Sequence, residues 1–249
     1  MADANAVPPG DAIRPLEALG ALRALFRNKE DTAQVFRIID AMAGKTRGAA
    51  YERTRSTAAG QALLAARPDL LATLSDRERM QALPQGSLGR TYYDFTYGEN
   101  LTADGLVAAS QEGGRPNRSE EANWFGCRMR DQHDLWHVIS GYGREAFGEL
   151  NLLAFTHAQT RNRGIGIIVL FGMVKWMRMA SQMPTWSAVR EARRRGRACA
   201  WLAAQHWEAM LAMPLADVRR QLALPPAPVY AHALSGARKI EALMTAQPA

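Results

Sequence analysis

Apolar residues recur with a helical period along most of the chain. In "PLEALGALRALFRN", Leu16, Leu19, Leu22 and Phe26 fall on one stripe, and Pro15 suits a first helical turn. Asp31 or Thr32 can cap the next segment, "AQVFRIIDAMAG", whose Val35, Phe36, Ile39 and Met42 face one way before Gly44 ends it. The two segments predict a packed helix pair. From Lys45 to Arg67 the pattern weakens into a basic, small-residue connection with a short helical piece at "AAGQALLAA", stopped by Pro68. Helix resumes in "PDLLATLSDRERMQAL". Residues 83–102, "LPQGSLGRTYYDFTYGENLT", break the period with Pro84, Gly86, Gly89 and Gly98. They read as a loop that either sets aromatic rings over a cleft or packs a connection onto the core.

The most apolar part is "NLLAFTHAQTRNRGIGIIVLFGMVKWMRM". Its uninterrupted run from Gly164 to Val174 is too short to span a bilayer and predicts a buried or interfacial helix. The stretch from Pro184 to Leu224 predicts one long helix broken at Pro214, then a short one. Strand-type alternation is nearly absent, so the expected fold is all-α. With 47% apolar residues over 249 positions the chain can bury one substantial core, and a single domain is expected over residues 15–244. The small, polar or proline-bearing ends, 1–14 and 245–249, read as tails.

Charge and cysteine content narrow the function classes. Cys127 and Cys199 form no CxxC pair, which argues against a disulfide framework and a thiolate zinc finger. The formal charge of +7 comes without zinc-finger spacing, an RNP-type aromatic segment or a basic run leading into heptads, so no nucleic-acid partner is expected. The densest basic cluster, Arg193 to Arg197, falls in a predicted helix and reads as a solvated face; it would also meet anionic lipid headgroups. No secretory signal pattern is visible at the N-terminus. The expected location is a bacterial-type cytoplasm, peripheral at the cytoplasmic face of the inner membrane.

The candidate chemistry lies in "RMRDQHDLWHVISGYGREAFGELN", which holds two of the five histidines. On a helix, at roughly 100° per residue, His133 and His137 sit about 40° apart and Asp134 about 60° beyond His137. Two imidazoles and a carboxylate on one face are a usable set of divalent-metal ligands. Glu149 would lie about 18 Å along the axis of an unbroken helix. Gly141 and Gly143 can end that helix, however, and let a second one return from near Arg144 with Glu149 on it. The resulting site would bridge two helices. The HExxH pattern of zinc proteases differs here by an aspartate, whose shorter side chain is poorly placed as general base. The phosphohydrolases with an HD dipeptide need a further upstream histidine, and none precedes His133.

The spacing of His133, Asp134, His137 and Glu149 is similar to the HDxxH-x11-E signature of the fourth Coq protein of ubiquinone biosynthesis. "RMRDQHDL" resembles that family's lead-in, with Asp131 where glutamate is usual. "LPQGSLGRTYYDF" and "GRACAWLAAQHWEAMLAMPLADVRRQL" resemble its flanking segments, so the likeness runs in order from about Pro15 to Leu224. The resemblance implies an all-α protein acting on a polyprenylated aromatic substrate at a membrane face, beside other ubiquinone-biosynthesis enzymes. It implies a divalent metal, usually taken as zinc, at His133, Asp134, His137 and Glu149. It also implies one of two roles: replacement of the ring C1 carboxylate by hydroxyl, or a non-catalytic prenyl-lipid-binding scaffold.

On chemical grounds Fe(II) or Mn(II) would keep coordination positions open where four ligands saturate zinc. Arg128, Arg130 and Arg144 are candidate charge partners for an anionic substrate. The helix from Ile165 to Val174 is the candidate wall of an apolar groove for the prenyl tail. A homodimer is compatible with the sequence.

Overall fold

The computed structural model describes residues 12–28, 31–97 and 120–245. Most of the expected tails and residues 98–102 of the aromatic segment lie outside the described residues. The described part is helical and contains no β-strand; its one isolated bridge joins Ser87 to Pro214.

Helices α1 (Pro15–Arg27) and α2 (Thr32–Ala41) form the expected pair, but the predicted stripe on α1 is rotated. Leu16 and Leu19 are exposed, by 84% and 43%, while Ala18, Ala21 and Leu22 are buried. Ala21 and Leu22 cluster with Ile38 of α2, where Ala33 and Ala41 are buried too. Small side chains let helix axes approach more closely than leucines do, so the alanine-rich faces set the contact. The periodicity identified a helix here and not its rotation.

The connection expected after Lys45 is mostly helix: α3 (Thr46–Arg55) precedes α4 (Ala58–Ala66). Its anchor is tertiary, since buried Thr54 accepts a hydrogen bond from the distant Trp201 indole at 2.8 Å. The next predicted helix is two, α5 (Leu70–Ser75) and α6 (Arg77–Ala82), each capped by an aspartate, Asp69 and Asp76. The aromatic segment is a helix rather than a loop: α7 spans Leu88–Tyr97. Pro84 and Gly86 do break the chain, but Ser87 then accepts the Arg90 amide at 3.2 Å and starts a new helix. Gly89 lies inside α7 because the backbone of Leu211 packs against it; its amide donates to the Leu211 carbonyl at 2.8 Å.

The central stretch divides at Gln132 into α8 (Glu120–Asp131) and α9 (His133–Ser140). Gln132 is fully buried and accepts a 2.7 Å hydrogen bond from the Trp207 indole, which pins the break. After the glycine turn come α10 (Ala146–Thr160) and α11 (Arg163–Met179). The predicted long C-terminal helix stops early: α12 covers Thr185–Ala198, followed by short turns, α13 (Trp207–Met210) and α14 (Leu215–Gln221). Trp201 and Trp207 turn inward there and are buried, which a continuous helix would not allow both to do. A last helix, α15 (Pro228–Thr245), went unread in the sequence, although Pro228 stands at its first position and Tyr230, Ala233 and Ala237 follow at helical spacing.

Helix α10 is the middle of the core, packed against α11, α12 and α15. Its Phe147, Leu152, Ala154 and Phe155 have no exposed surface, each burial contributing about 1.5–3 kcal/mol for the larger side chains. A rigid central helix therefore carries Glu149.

Candidate metal centre

Helix α9 presents His133 and His137 one turn apart, with ring centroids 4.8 Å from each other. Gly141 ends the helix in the left-handed conformation, φ 76°, with its amide on the His137 carbonyl at 2.8 Å. The carbonyls left open at that end are taken by two arginines from outside the stretch. Arg219 of α14 donates to Ile139 and Val138 at 2.8 and 3.0 Å, and buried Arg195 of α12 donates to Ser140 at 2.9 Å. The position of α9 is thus held at its C-terminus by distant parts of the chain.

The chain then reverses as the glycines predict, and α10 starts at Ala146. The amide of Gly143 donates to the Tyr230 hydroxyl at 2.8 Å, and that hydroxyl donates to the Glu145 carboxylate. The Phe147 amide donates to Glu241 at 3.1 Å. Gly148 has no room for a side chain, because a Cβ there would overlap the Gly143 carbonyl. This close fold-back brings Glu149 opposite the histidines.

His137 Nε2 lies 3.1 Å from Glu149 Oε1, and His133 Nε2 lies 3.9 Å from Glu149 Oε2. Ligand-capable atoms of His133, His137 and Glu149 all fall within 4.8 Å of one another, a set that can hold a metal ion. Both rings are fixed by their other nitrogen. His137 Nδ1 is 2.9 Å from the Tyr142 carbonyl, and His133 Nδ1 is 3.2 Å from Asp134 Oδ1. With an acceptor at each Nδ1, the Nδ1–H tautomer follows and the Nε2 lone pairs face Glu149.

Asp134 therefore lies behind His133 and outside the group of three. Its second oxygen is 3.5 Å from Arg144, whose guanidinium also covers the Phe95 ring at 4.3 Å. Phe95 in turn packs against His137 with centroids 5.4 Å apart, so the helix α7 misread as a loop supplies one wall.

Charges in the cluster reinforce one another. Burial alone would raise Asp134 and Glu149, but close contact with His133 at Asp134 and with His137 at Glu149, together with the charge of the histidines and, at Asp134, of Arg144, holds both carboxyls below their ordinary range. Burial would lower His133, yet its bond to Asp134 and the charge of Glu149 outweigh that and raise it. Two buried polar atoms of the cluster lack an aligned hydrogen bond, Arg144 Nε and His137 Nε2, and the second lies 3.1 Å from the Glu149 carboxylate. Such an orphan between a carboxylate and a second imidazole is what a cation would satisfy.

Of the three candidate arginines, the structure brings only Arg144 to this cluster. Arg128 is buried and forks onto Glu208 at 2.7 and 2.9 Å, with the Gln205 carbonyl at 3.1 Å. Arg130 pairs with Asp131 at 2.6 Å. The Tyr142 carbonyl and Arg219 escaped the sequence reading, because a carbonyl acceptor or a distant arginine carries no local pattern, and Arg195, read with Arg193 to Arg197 as a solvated face, is buried instead.

Comparisons with known proteins agree with this architecture. The chain is 26% identical over 179 residues to the Rattus norvegicus "Ubiquinone biosynthesis protein COQ4 homolog, mitochondrial", covering 71% of this chain and 64% of that protein. It is 25% identical over 174 residues to the corresponding Pyricularia oryzae protein, covering 68% of this chain and 54% of the other. The matched segment thus spans less than two thirds of these relatives' length. A crystal structure of a Nostoc punctiforme protein assigned to ubiquinone biosynthesis superposes with a TM-score of 0.64 at 21% identity, over 85% of this chain and 99% of that one, and supports the fold.

These relatives overturn the bacterial-type cytoplasmic location expected from the sequence, since they are named mitochondrial proteins. The lack of a secretory pattern and a positive net charge carry no information that separates the two compartments. No helix among the described residues is long and apolar enough to cross a membrane. A family model described as "Coenzyme Q (ubiquinone) biosynthesis protein Coq4" matches residues 15–228, nearly the whole described fold and all of the candidate metal centre, and the chain therefore belongs to the Coq4 family of ubiquinone biosynthesis.

Proposed function

We propose that the chain catalyses oxidative removal of the C1 carboxylate from a polyprenylated 4-hydroxybenzoate-derived ring, using a divalent metal held by His133, His137 and Glu149. The observation that carries this reading is the orphaned His137 Nε2, buried and aimed at Glu149 beside a second imidazole. Two imidazoles and one carboxylate suit Fe(II) or Mn(II) and equally a catalytic zinc. When bound, the cation supplies positive charge for the substrate's carboxylate and leaves coordination positions that a fourth protein ligand would fill. Dioxygen is the oxidant: one ring acid and one O2 give the ring bearing oxygen at C1 at the quinone level, CO2 and water.

The protein's own groups do the positioning. Arg144, stacked on Phe95, places a second positive charge where the carboxylate would enter. The Tyr142 carbonyl and Asp134 hold the two rings in register, so Asp134 acts through His133 rather than as a ligand. Asp134→Asn is expected to weaken metal binding by about 10–100-fold, the usual effect of losing an outer partner, without abolishing it. A titration with a chromophoric chelator checks this; complete loss of the metal would make Asp134 a ligand after all.

The exposed side of α11 supplies a surface for the prenyl tail or a membrane interface. Leu170, Phe171 and Met177 are 53%, 42% and 46% exposed there, and Arg163 and Arg178 are exposed at the two ends of the helix. The deciding test is mass spectrometry of a polyprenylated hydroxybenzoate-type acid incubated in air with metal-loaded wild type and with His137→Ala. A product with oxygen in place of carboxylate, from the wild type only, is expected. No conversion by folded, metal-loaded wild type would instead favour a lipid-binding scaffold.

A further inference from the structure

A second cluster of chemistry lies on α10, eight residues and about 12 Å along its axis from Glu149. His157 and Arg161 stand one turn apart at the C-terminal end of α10, and Arg193 and Arg197 stand one turn apart on α12. The two helices are in close contact at this level: a Cβ on Gly196 would meet the Phe155 carbonyl and, at 3.0 Å, the Ala158 side chain. Helix α11 closes the third side: its Gly166 packs against the His157 ring, where a Cβ would stand 2.8 Å from Nε2.

Helix dipoles account for only part of this charge. Arg161 caps α10 in the left-handed conformation, φ 57°, and Arg197 is in the last turn of α12, where cations are favoured. Each helix end, however, offers roughly half a negative charge, against three permanent cations. The buried Arg193 Nε has no hydrogen-bond partner. The acid nearest along α12, Glu191, is committed to the backbone amides of Val229 and Tyr230. Burial and the charges of Arg193, Arg161 and Arg197 all depress the protonation of His157, and no carboxylate is among the charges that act on it.

We infer that the basic cluster of His157, Arg161, Arg193 and Arg197, where α10, α11 and α12 meet, is a binding site for a phosphate group. Guanidinium forks match tetrahedral phosphate oxygens, and a dianion there supplies the missing acceptor for Arg193 Nε and the missing counter-charge. A phosphate monoester or diphosphate in solution and a phospholipid headgroup share this chemistry. The site is separate from the metal centre, so its test is independent of the decarboxylation reading.

The experiment follows the five histidine side chains by heteronuclear NMR on the full chain during additions of inorganic phosphate and pyrophosphate, with ionic strength held by sodium chloride. Co-sedimentation with phosphatidylcholine vesicles, with and without phosphatidic acid, forms the second arm. A saturable shift of the His157 signals by pyrophosphate, weakened about tenfold in Arg193→Gln and in the exposed Arg197→Gln, is the expected result for a soluble ligand. Phosphatidic-acid-dependent sedimentation lost in the same variants, without the soluble response, assigns the site to a lipid headgroup. The inference is overturned if chloride moves His157 as much as phosphate does, if neither arm responds, or if both variants bind like wild type. Arg197 lies at the solvent edge, so that variant reports even if Arg193→Gln fails to fold.

Discussion

Replacing His137 with alanine is expected to lower affinity for a divalent cation by roughly 10²–10³-fold. Structural zinc sites with four ligands have apparent binding free energies of about 10–16 kcal/mol, or about 2.5–4 kcal/mol for each ligand, and every 1.4 kcal/mol is tenfold. His137 is the most buried of the three ligand candidates, 1% exposed against 30% for His133 and 39% for Glu149. The same variant also loses the bond to the Tyr142 carbonyl, so a stability loss of about 1–3 kcal/mol accompanies the metal loss. Competition with a chromophoric chelator and the visible spectrum of the cobalt form measure the first effect, and denaturant unfolding of the apo protein the second. Wild-type affinity retained by His137→Ala would remove the metal centre from the account.

The pH dependence of cation binding has a definite sign. His133 must be neutral to offer Nε2, and Asp134 and Glu149 hold its pKa above the ordinary imidazole value against the effect of burial. The proton therefore competes with the cation. Affinity is expected to fall as pH drops through the His133 range and to rise above it, while the two carboxylates, held below their ordinary range, stay ionised.

Gly148→Ala should be the most damaging small substitution in the turn. The added methyl overlaps the Gly143 carbonyl, which is backbone and cannot move aside as a flexible side chain would. Overpacking of this kind typically costs 1–3 kcal/mol, and about 3 kcal/mol is expected here because relief requires the α9–α10 turn to open. Opening the turn displaces Glu149, the next residue, so metal affinity should fall together with stability. Gly236→Ala on α15 is the matching control, since nothing lies within 4 Å of a Cβ there, and in a helix it should stabilise by about 0.5–1 kcal/mol. Thermal unfolding of both variants, with chelator competition on the first, decides the matter. A Gly148→Ala protein as stable and as metal-avid as the wild type would mean that the turn does not depend on this close approach.

What the sequence by itself determined was set by local rules. A period near 3.6 residues made the chain all-α. The four-residue spacing of His133 and His137 placed both rings on one face whatever surrounds them. Gly141 and Gly143 then allowed the chain to reverse, so Glu149 had to come from a second helix. None of these inferences needed a partner element.

The tertiary structure decided everything that depends on where a second element lies. The rotation of α1 came from the alanines of its neighbour, and the helical state of Leu88–Tyr97 came with packing on Leu211. Arg128 was drawn to Glu208, eighty positions away, and so lies outside the candidate metal centre. The ligand set was narrowed in the same way. Asp134 is adjacent to His133 in the chain, and on a bare helix it counts as a fourth ligand. In space its carboxylate meets His133 Nδ1 on one oxygen and Arg144 on the other, which holds it behind the ring. Periodicity fixes the face on which a side chain lies, whereas the atom it meets there depends on residues that the chain brings back from far away.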